Sequence, residues 1–241
     1  MHTIVLATQK GGSGKSTLAI GLALAAIQAG HHVRLIETCQ QGTLSNWQGR
    51  RADANTLVET LYAAGDFAQR LSSLEDEGVT LAIVDTAAGG AATSAAIRHA
   101  DLCLIPARPS IADIEATAST LRELRAANAP FASVLNQTAI RGQRISNASA
   151  TLGEAALDIP DVVAQPFIVM RNDHQDALRA GLAVSEYAPG SKAADEIRGL
   201  WHWIELRLGL AVVIGADEIV SDISIASLGV VQTPAELASF L

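Results

Sequence analysis

A chain of 241 residues, about half of them hydrophobic, is long enough for one sizeable α/β core and too short for two large domains. Seventeen basic against twenty-five acidic side chains leave a formal charge of −8, which excludes a global field drawing the protein to nucleic acid or anionic membrane. The two cysteines, Cys39 and Cys103, stand far apart without metal-ligand spacing, which argues against a disulfide framework or a zinc site and suits a reducing cytoplasm.

From Met1 the chain runs straight into a strand pattern, without the basic start, apolar run and cleavage site of a signal peptide, so no export is expected. Apolar runs of strand length occupy 3–7, 32–36, 80–84, 102–105 and 131–135, with helical spacing between them, as over 16–29 and 111–127. Near-continuous apolar strands alternating with helices predict a doubly wound α/β fold, a mostly parallel sheet with helices on both faces. Ligands of such sheets sit at the carboxyl ends of the strands, where the loops 8–15, 38–42 and 86–90 would converge. Residues 191–210 place Ala194, Ile197, Trp201, Ile204 and Leu208 on one apolar face and predict the last large helix. After Arg207, the last basic residue, the chain is apolar and mildly acidic, and Thr233-Pro234-Ala235-Glu236 predicts a short capped helix. The expected organisation is one domain over 1–208 followed by an extension, 209–241. The apolar stretches 18–27 and 208–214 fall short of the roughly 20 residues needed to cross a bilayer.

Directly after the first strand comes Gln9-Lys10-Gly11-Gly12-Ser13-Gly14-Lys15-Ser16-Thr17, leading into a helix. Glycines let the backbone curl so that successive N–H groups face a phosphate, and a helix N-terminus adds partial positive charge. Gly11, Gly12, Ser13, Gly14, Lys15, Ser16 and Thr17 therefore form a candidate ATP cradle. Lys15 would reach the β- and γ-phosphates and the Ser16 hydroxyl would ligate Mg²⁺. A chance glycine-rich turn is the competing reading, and it is weakened because two of the three lysines in the chain, Lys10 and Lys15, fall in this loop. The usual phosphate-loop pattern has glycine where Gln9 stands and lacks the added Lys10.

The run Lys-Gly-Gly-Ser-Gly-Lys-Ser resembles the deviant Walker A motif of the ParA/MinD family of P-loop ATPases, with most of 1–207 similar to its ParA-type partitioning members. In that family the first lysine crosses a dimer interface to the partner's nucleotide. The resemblance thus implies an ATP-bound homodimer in which Lys10 acts in trans, much as an arginine finger does. Leu81-Ala82-Ile83-Val84-Asp85 reads as an apolar strand ending in the Walker B carboxylate that holds the Mg²⁺ shell; a turn aspartate is the alternative. Thr86-Ala87-Ala88-Gly89-Gly90 matches the second switch, with alanines where prolines are usual. Asn136 resembles the adenine-recognising asparagine, its amide offering both donor and acceptor, with a turn cap as the alternative.

The first switch departs furthest. ParA-like chains carry Asp-x-Asp-Pro-Gln-Gly where this one has Glu37-Thr38-Cys39-Gln40-Gln41-Gly42. Glu37 is expected to keep a charge near Mg²⁺, whereas Cys39 replaces the carboxylate that normally orients the attacking water. Lys10, Lys15, Glu37 and Cys39 are the candidate catalytic residues, with slow hydrolysis expected unless Glu37 positions the water instead.

Met170-Arg171-Asn172 and the stretch 186–194 resemble the C-terminal portion of ParA proteins, whose nucleoid-riding members bind DNA nonspecifically by phosphate neutralisation. Arg171, Lys192 and Arg198, with Arg179, are implied DNA-binding candidates; ordinary solvated charges are the alternative. No basic amphipathic helix follows Arg207, so no membrane partner is expected. Cys103, inside an apolar strand, reads as core rather than as a cluster ligand of the nitrogenase iron protein kind. The implied function is an ATP-hydrolysing, dimerising switch for DNA partitioning or cargo positioning. It would be cytoplasmic, nucleoid-associated where DNA is bound, and would work with a ParB-like or cargo adaptor. Two other readings stand beside it: an ATP-dependent ligase of the related amidation or carboxylation group, and a hydrolysis-deficient nucleotide-binding interaction module.

Overall fold

A computed structural model describes residues 1–51 and 56–210. The expected tail helix at 233–236, and nearly all of the expected extension, lie outside the described residues. Six strands, β1 (His2–Leu6), β2 (Val33–Glu37), β3 (Val58–Thr60), β4 (Leu81–Asp85), β5 (Leu102–Ala107) and β6 (Phe131–Leu135), form one sheet in the order β3-β2-β4-β1-β5-β6. Every pairing is parallel, as the sequence predicts. Strand β3, missed in the sequence, has three residues, too few to show a period, and it becomes a strand by pairing with the edge of β2.

Alternation along each strand divides the core into two layers. Ile4, Leu6, Leu81, Ile83, Leu102 and Leu104 pack beneath α1 (Lys15–Gln28), α2 (Thr43–Gln48) and α9 (Lys192–Leu208). Val5, Ala82, Val84, Cys103 and Ile105 pack against α3 (Phe67–Asp76), α4 (Ala91–Arg98) and α5 (Ile111–Ala126) on the other face. Cys103 is fully buried there, and burial pushes its thiol up to about 12. Three further helices, α6 (Gln143–Glu154), α7 (Asn172–Arg179) and α8 (Val184–Tyr187), complete the domain.

Helix α1 is buried continuously from Leu18 to Ala26, because it is covered by α9 as well as by the sheet. The two helices approach closely at Gly21, where a Cβ would stand 3.2 Å from Ile197. Helix α9 begins at an N-cap, Ser191 accepting from the Ala194 N–H, and ends at Gly209 with φ of 65°. No helix among the described residues is long and apolar enough to cross a membrane.

Candidate functional site

Strands β1, β2 and β4 end level with one another: Leu6 and Glu37 both pair in register with Asp85. This row brings the loops after all three strands to one place. Gly12 and Gly14 take left-handed conformations, φ 73° and 92°, and curl the loop into the start of α1. Gly14 has no alternative for a second reason: a Cβ there would fall 2.3 Å from Asn136 Nδ2.

At the head of α1, Ser16 Oγ donates to Asp85 Oδ2 at 2.5 Å, and Lys15 Nζ donates to the Thr8 carbonyl at 3.3 Å. Asp85 is 2% exposed and its other oxygen, Oδ1, has no partner among the described residues. Burial pushes the Asp85 carboxyl up to about 6, nearby Glu37 adding to the effect while Ser16 and Lys15 oppose it. Burial also lowers the Lys15 ammonium, opposed by Asp85 and Cys39. Unpaired Oδ1 and the Ser16 hydroxyl are hard oxygen donors of the kind Mg²⁺ takes, so the residues fit that ion. Around them lies a pocket of about 340 Å³ lined by residues 11–17 together with Cys39, Gln41, Thr43 and 85–88. Its lysine and loop N–H groups suit a polyphosphate.

The start of the first-switch segment is tied to its surroundings on two sides. Thr38 N donates to the Asp85 carbonyl at 3.0 Å, and Thr38 Oγ1 accepts from Ala87 N at 3.1 Å, joining the loops after β2 and β4. Glu37 is fully buried, and both its oxygens are occupied: Oε1 accepts from Leu44 N at 2.8 Å, and Oε2 accepts from Ser45 N at 3.1 Å and Ser45 Oγ at 2.6 Å. It is thus anchored to the N-terminal turn of α2, where unpaired N–H groups and the helix dipole favour a carboxylate. The expected charge of Glu37 thus lies close enough to Asp85 to act on its carboxyl, while its own oxygens are bonded to α2. Cys39, a partly exposed free thiol, does line the pocket.

A second pocket, of about 110 Å³, adjoins the first through Gly14 and Thr17, which line both. Leu18, Ile168 and Met170 give it apolar wall, and Asn136, Gln137, Arg171 and His174 give it polar groups. Asn136 Nδ2 donates to the Ser13 carbonyl at 2.8 Å, and its Oδ1 accepts from Gln137 N at 2.9 Å. Gln137 Nε2 in turn donates to the Gly12 carbonyl at 2.9 Å. The asparagine expected to read a base edge is therefore also a brace for the glycine loop. Gln137, Met170 and His174 were not recognised as site residues in the sequence; only adjacency to Asn136 or Arg171 could have suggested the first two.

The basic candidates do not converge as bare charges. Arg171 is paired with Glu196 at 2.6 Å and Arg198 with Asp195 at 2.6 Å, whereas Lys192 stands exposed at the start of α9. The Lys10 side chain makes no hydrogen bond or ion pair among the described residues, while its backbone N–H donates to Thr8 Oγ1 at 3.3 Å.

Comparison with known proteins agrees with this geometry. Residues 4–184 match the model of the CobQ/CobB/MinD/ParA nucleotide binding domain. The chain is 32% identical over 127 residues to Protein ParA of Rhizobium radiobacter, covering 51% of this chain but only 55% of that protein. It is 28% identical over 206 residues to maintenance of carboxysome distribution protein A of Halothiobacillus neapolitanus, covering 81% and 92%. Among solved structures, apo McdA of Cyanothece superposes with a TM-score of 0.69 at 19% identity, covering 85% of this chain and 99% of that one. MinD of Pyrococcus horikoshii complexed with Mg-ADP superposes at 0.67 and 17% identity, covering 87% and 98%. The structural likenesses bear on the fold, a six-stranded parallel P-loop sheet, and the family match covers the loops that build the site. The chain therefore belongs to the CobQ/CobB/MinD/ParA nucleotide-binding-domain family.

Proposed function

We propose that this chain is a Mg²⁺-dependent ATPase that works as a dimerising switch in the positioning of DNA or another intracellular cargo. The observation that carries this reading is the cluster at the head of α1: Lys15 and Ser16 beside a buried Asp85 whose second oxygen is unpaired. Ser16 Oγ and Asp85 would hold Mg²⁺, which when bound neutralises charge on the phosphates. Lys15 supplies a charge-assisted donor to the same phosphates. Asn136 and Gln137 keep the glycine loop in its curled form, so that its N–H groups need no reorganisation to bind.

Slow hydrolysis belongs to the proposal. Positioning of the attacking water contributes much of the catalysis in phosphoryl transfer. Two first-switch residues line the pocket, Cys39 and Gln41, neither of them a carboxylate, and the Glu37 carboxylate is taken up by α2. A long-lived ATP state suits a switch that acts by where it sits. The same two observations favour a second reading, a nucleotide-binding interaction module that barely hydrolyses. The relative named for maintenance of carboxysome distribution supports a positional role. The proposal adds to that role a ParB-like or cargo adaptor, a nucleoid-associated state and nonspecific DNA contacts through Lys192.

The test is calorimetry with MgATP combined with light scattering. Lys15→Ala should abolish ATP binding. Lys10→Ala should bind ATP but fail to dimerise, since its proposed partner is the nucleotide of a second protomer. Unchanged ATP affinity in Lys15→Ala would overturn the site assignment, and a normal ATP dimer in Lys10→Ala would overturn the trans role.

A further inference from the structure

Cys39 is held beside the end of β4 by its neighbours. Thr38 N donates to the Asp85 carbonyl at 3.0 Å, and Gly42 N donates to the Cys39 carbonyl at 3.2 Å, closing a turn over 39–42. The cysteine itself is a free, partly exposed thiol in the lining of the pocket that also holds Ser16 and Asp85. Burial lowers the Lys15 ammonium, and Asp85 and Cys39 both oppose that effect, so the three groups share one local field.

Asp85 supplies an independent sign of a cation: the residue is 2% exposed, and its Oδ1 has no partner among the described residues. Native proteins pair nearly all buried polar atoms, so an orphaned carboxylate oxygen in a pocket wall calls for one. The first switch brings no second carboxylate to this pocket, since both Glu37 oxygens are bonded at α2 and Gln41 offers only a neutral amide. Among the described residues, the side chain of the switch that can supply an anionic ligand here is the thiol of Cys39. Mg²⁺ takes oxygen ligands, whereas a thiolate favours softer ions of the Zn²⁺ or Cd²⁺ class.

We infer that Cys39 sets the metal selectivity of this site: its thiolate joins Asp85 and Ser16 and makes the nucleotide-loaded site favour a thiophilic divalent cation of the Zn²⁺ or Cd²⁺ class. The inference rests on the nucleotide-binding reading above. The thiol gives up its proton to solvent as the sulfur–metal bond forms. Among the described residues no cluster of three His, Cys, Asp or Glu side chains could hold a metal ion. Phosphate oxygens of the nucleotide must therefore complete the ligand set, and the sulfur–metal bond should form only when ATP is present.

The full chain and its Cys39→Ser and Cys39→Asp variants are titrated with ATP in the presence of Mg²⁺ and, separately, of Cd²⁺. The ultraviolet absorbance of a sulfur–cadmium bond is followed through the Cd²⁺ series. Cys103 is fully buried and common to all three proteins, so it contributes the same background to each. The ratio of ATP affinity with Cd²⁺ to that with Mg²⁺ is expected to be about tenfold or more higher in the wild type than in either variant. The absorbance band should appear on adding ATP to the wild type and be lost in both variants. Either variant carries the comparison if the other fails to fold. Equal affinity ratios in the wild type and a folded variant would overturn the inference. So would a band that forms equally without ATP, the mark of a thiol binding cadmium outside any nucleotide site. A wild-type chain that binds ATP with neither cation would overturn the nucleotide reading itself, and this one with it; ATP binding with both cations but without the difference in ratio overturns this one alone.

Discussion

Ser16 and Asp85, 69 residues apart in the chain, meet through a hydrogen bond of 2.5 Å that leaves the second carboxylate oxygen buried and unpaired. The carboxyl is pushed up to about 6 by burial, against an ordinary value near 4. A proton is thus held more tightly in the folded chain than in the unfolded one. Stability from this group is greatest at low pH and is lost as pH rises through about 4 to 6. At neutral pH the buried carboxylate costs at most about 3 kcal/mol in the metal-free protein. Asp85→Asn should raise the melting temperature of the nucleotide-free protein at pH 7.5, flatten its pH dependence between about 4 and 6, and weaken Mg²⁺-dependent ATP binding. Melts at pH 5 and 7.5 check this; a lower melting temperature at both would show that the carboxylate stabilises the fold.

Glu37→Gln tests the anchor of α2. The amide keeps one acceptor oxygen but loses the charge at the helix N-terminus, and its NH₂ faces donors, so a loss of about 1–2 kcal/mol is expected in urea unfolding. Glu37→Ala should lose more, because buried N–H groups of Leu44 and Ser45 are left without an acceptor. A stability change below about 0.5 kcal/mol in both would show that water can replace the carboxylate.

Cys39→Asp should raise single-turnover ATP hydrolysis by roughly tenfold or more, about 1.4 kcal/mol of barrier, while nucleotide affinity changes much less. Dimer content must be measured in parallel, so that assembly is not mistaken for chemistry. Equal rates at equal dimer content would move the limiting defect to a group supplied by a partner, because Glu37 is already engaged at α2.

Arg171 and Lys192 should separate stability from DNA contact. Arg171→Ala strips Glu196 of its guanidinium partner in a half-buried pair and is expected to cost about 1–2 kcal/mol of folding stability. Lys192→Glu should leave the melting temperature within a degree or two, yet weaken ATP-dependent binding to arbitrary duplex DNA and reduce its salt dependence. Gel shifts at two salt concentrations decide it; an unchanged shift with Lys192→Glu would remove this lysine from any DNA surface.

The fold class and the glycine loop were legible in the sequence for a local reason. Buried parallel strands must be apolar nearly throughout, and a phosphate loop needs its glycines and lysine at fixed spacing within nine residues, from Gln9 to Thr17. The same locality made Asp85 readable, since it ends an apolar strand. What the sequence could not determine was where each polar side chain turns. Glu37 and Asp85 end neighbouring strands in register, but α2 starts close enough to claim one carboxylate, while Ser16 meets the other. Arg171 looked free until α9 placed Glu196 against it. Strand β3 likewise exists by virtue of its neighbour. Periodicity and motif spacing are properties of the chain near one residue. Charge pairing, burial and an orphaned hydrogen-bonding group are set by contacts between segments tens of residues apart, so only the tertiary structure decided them.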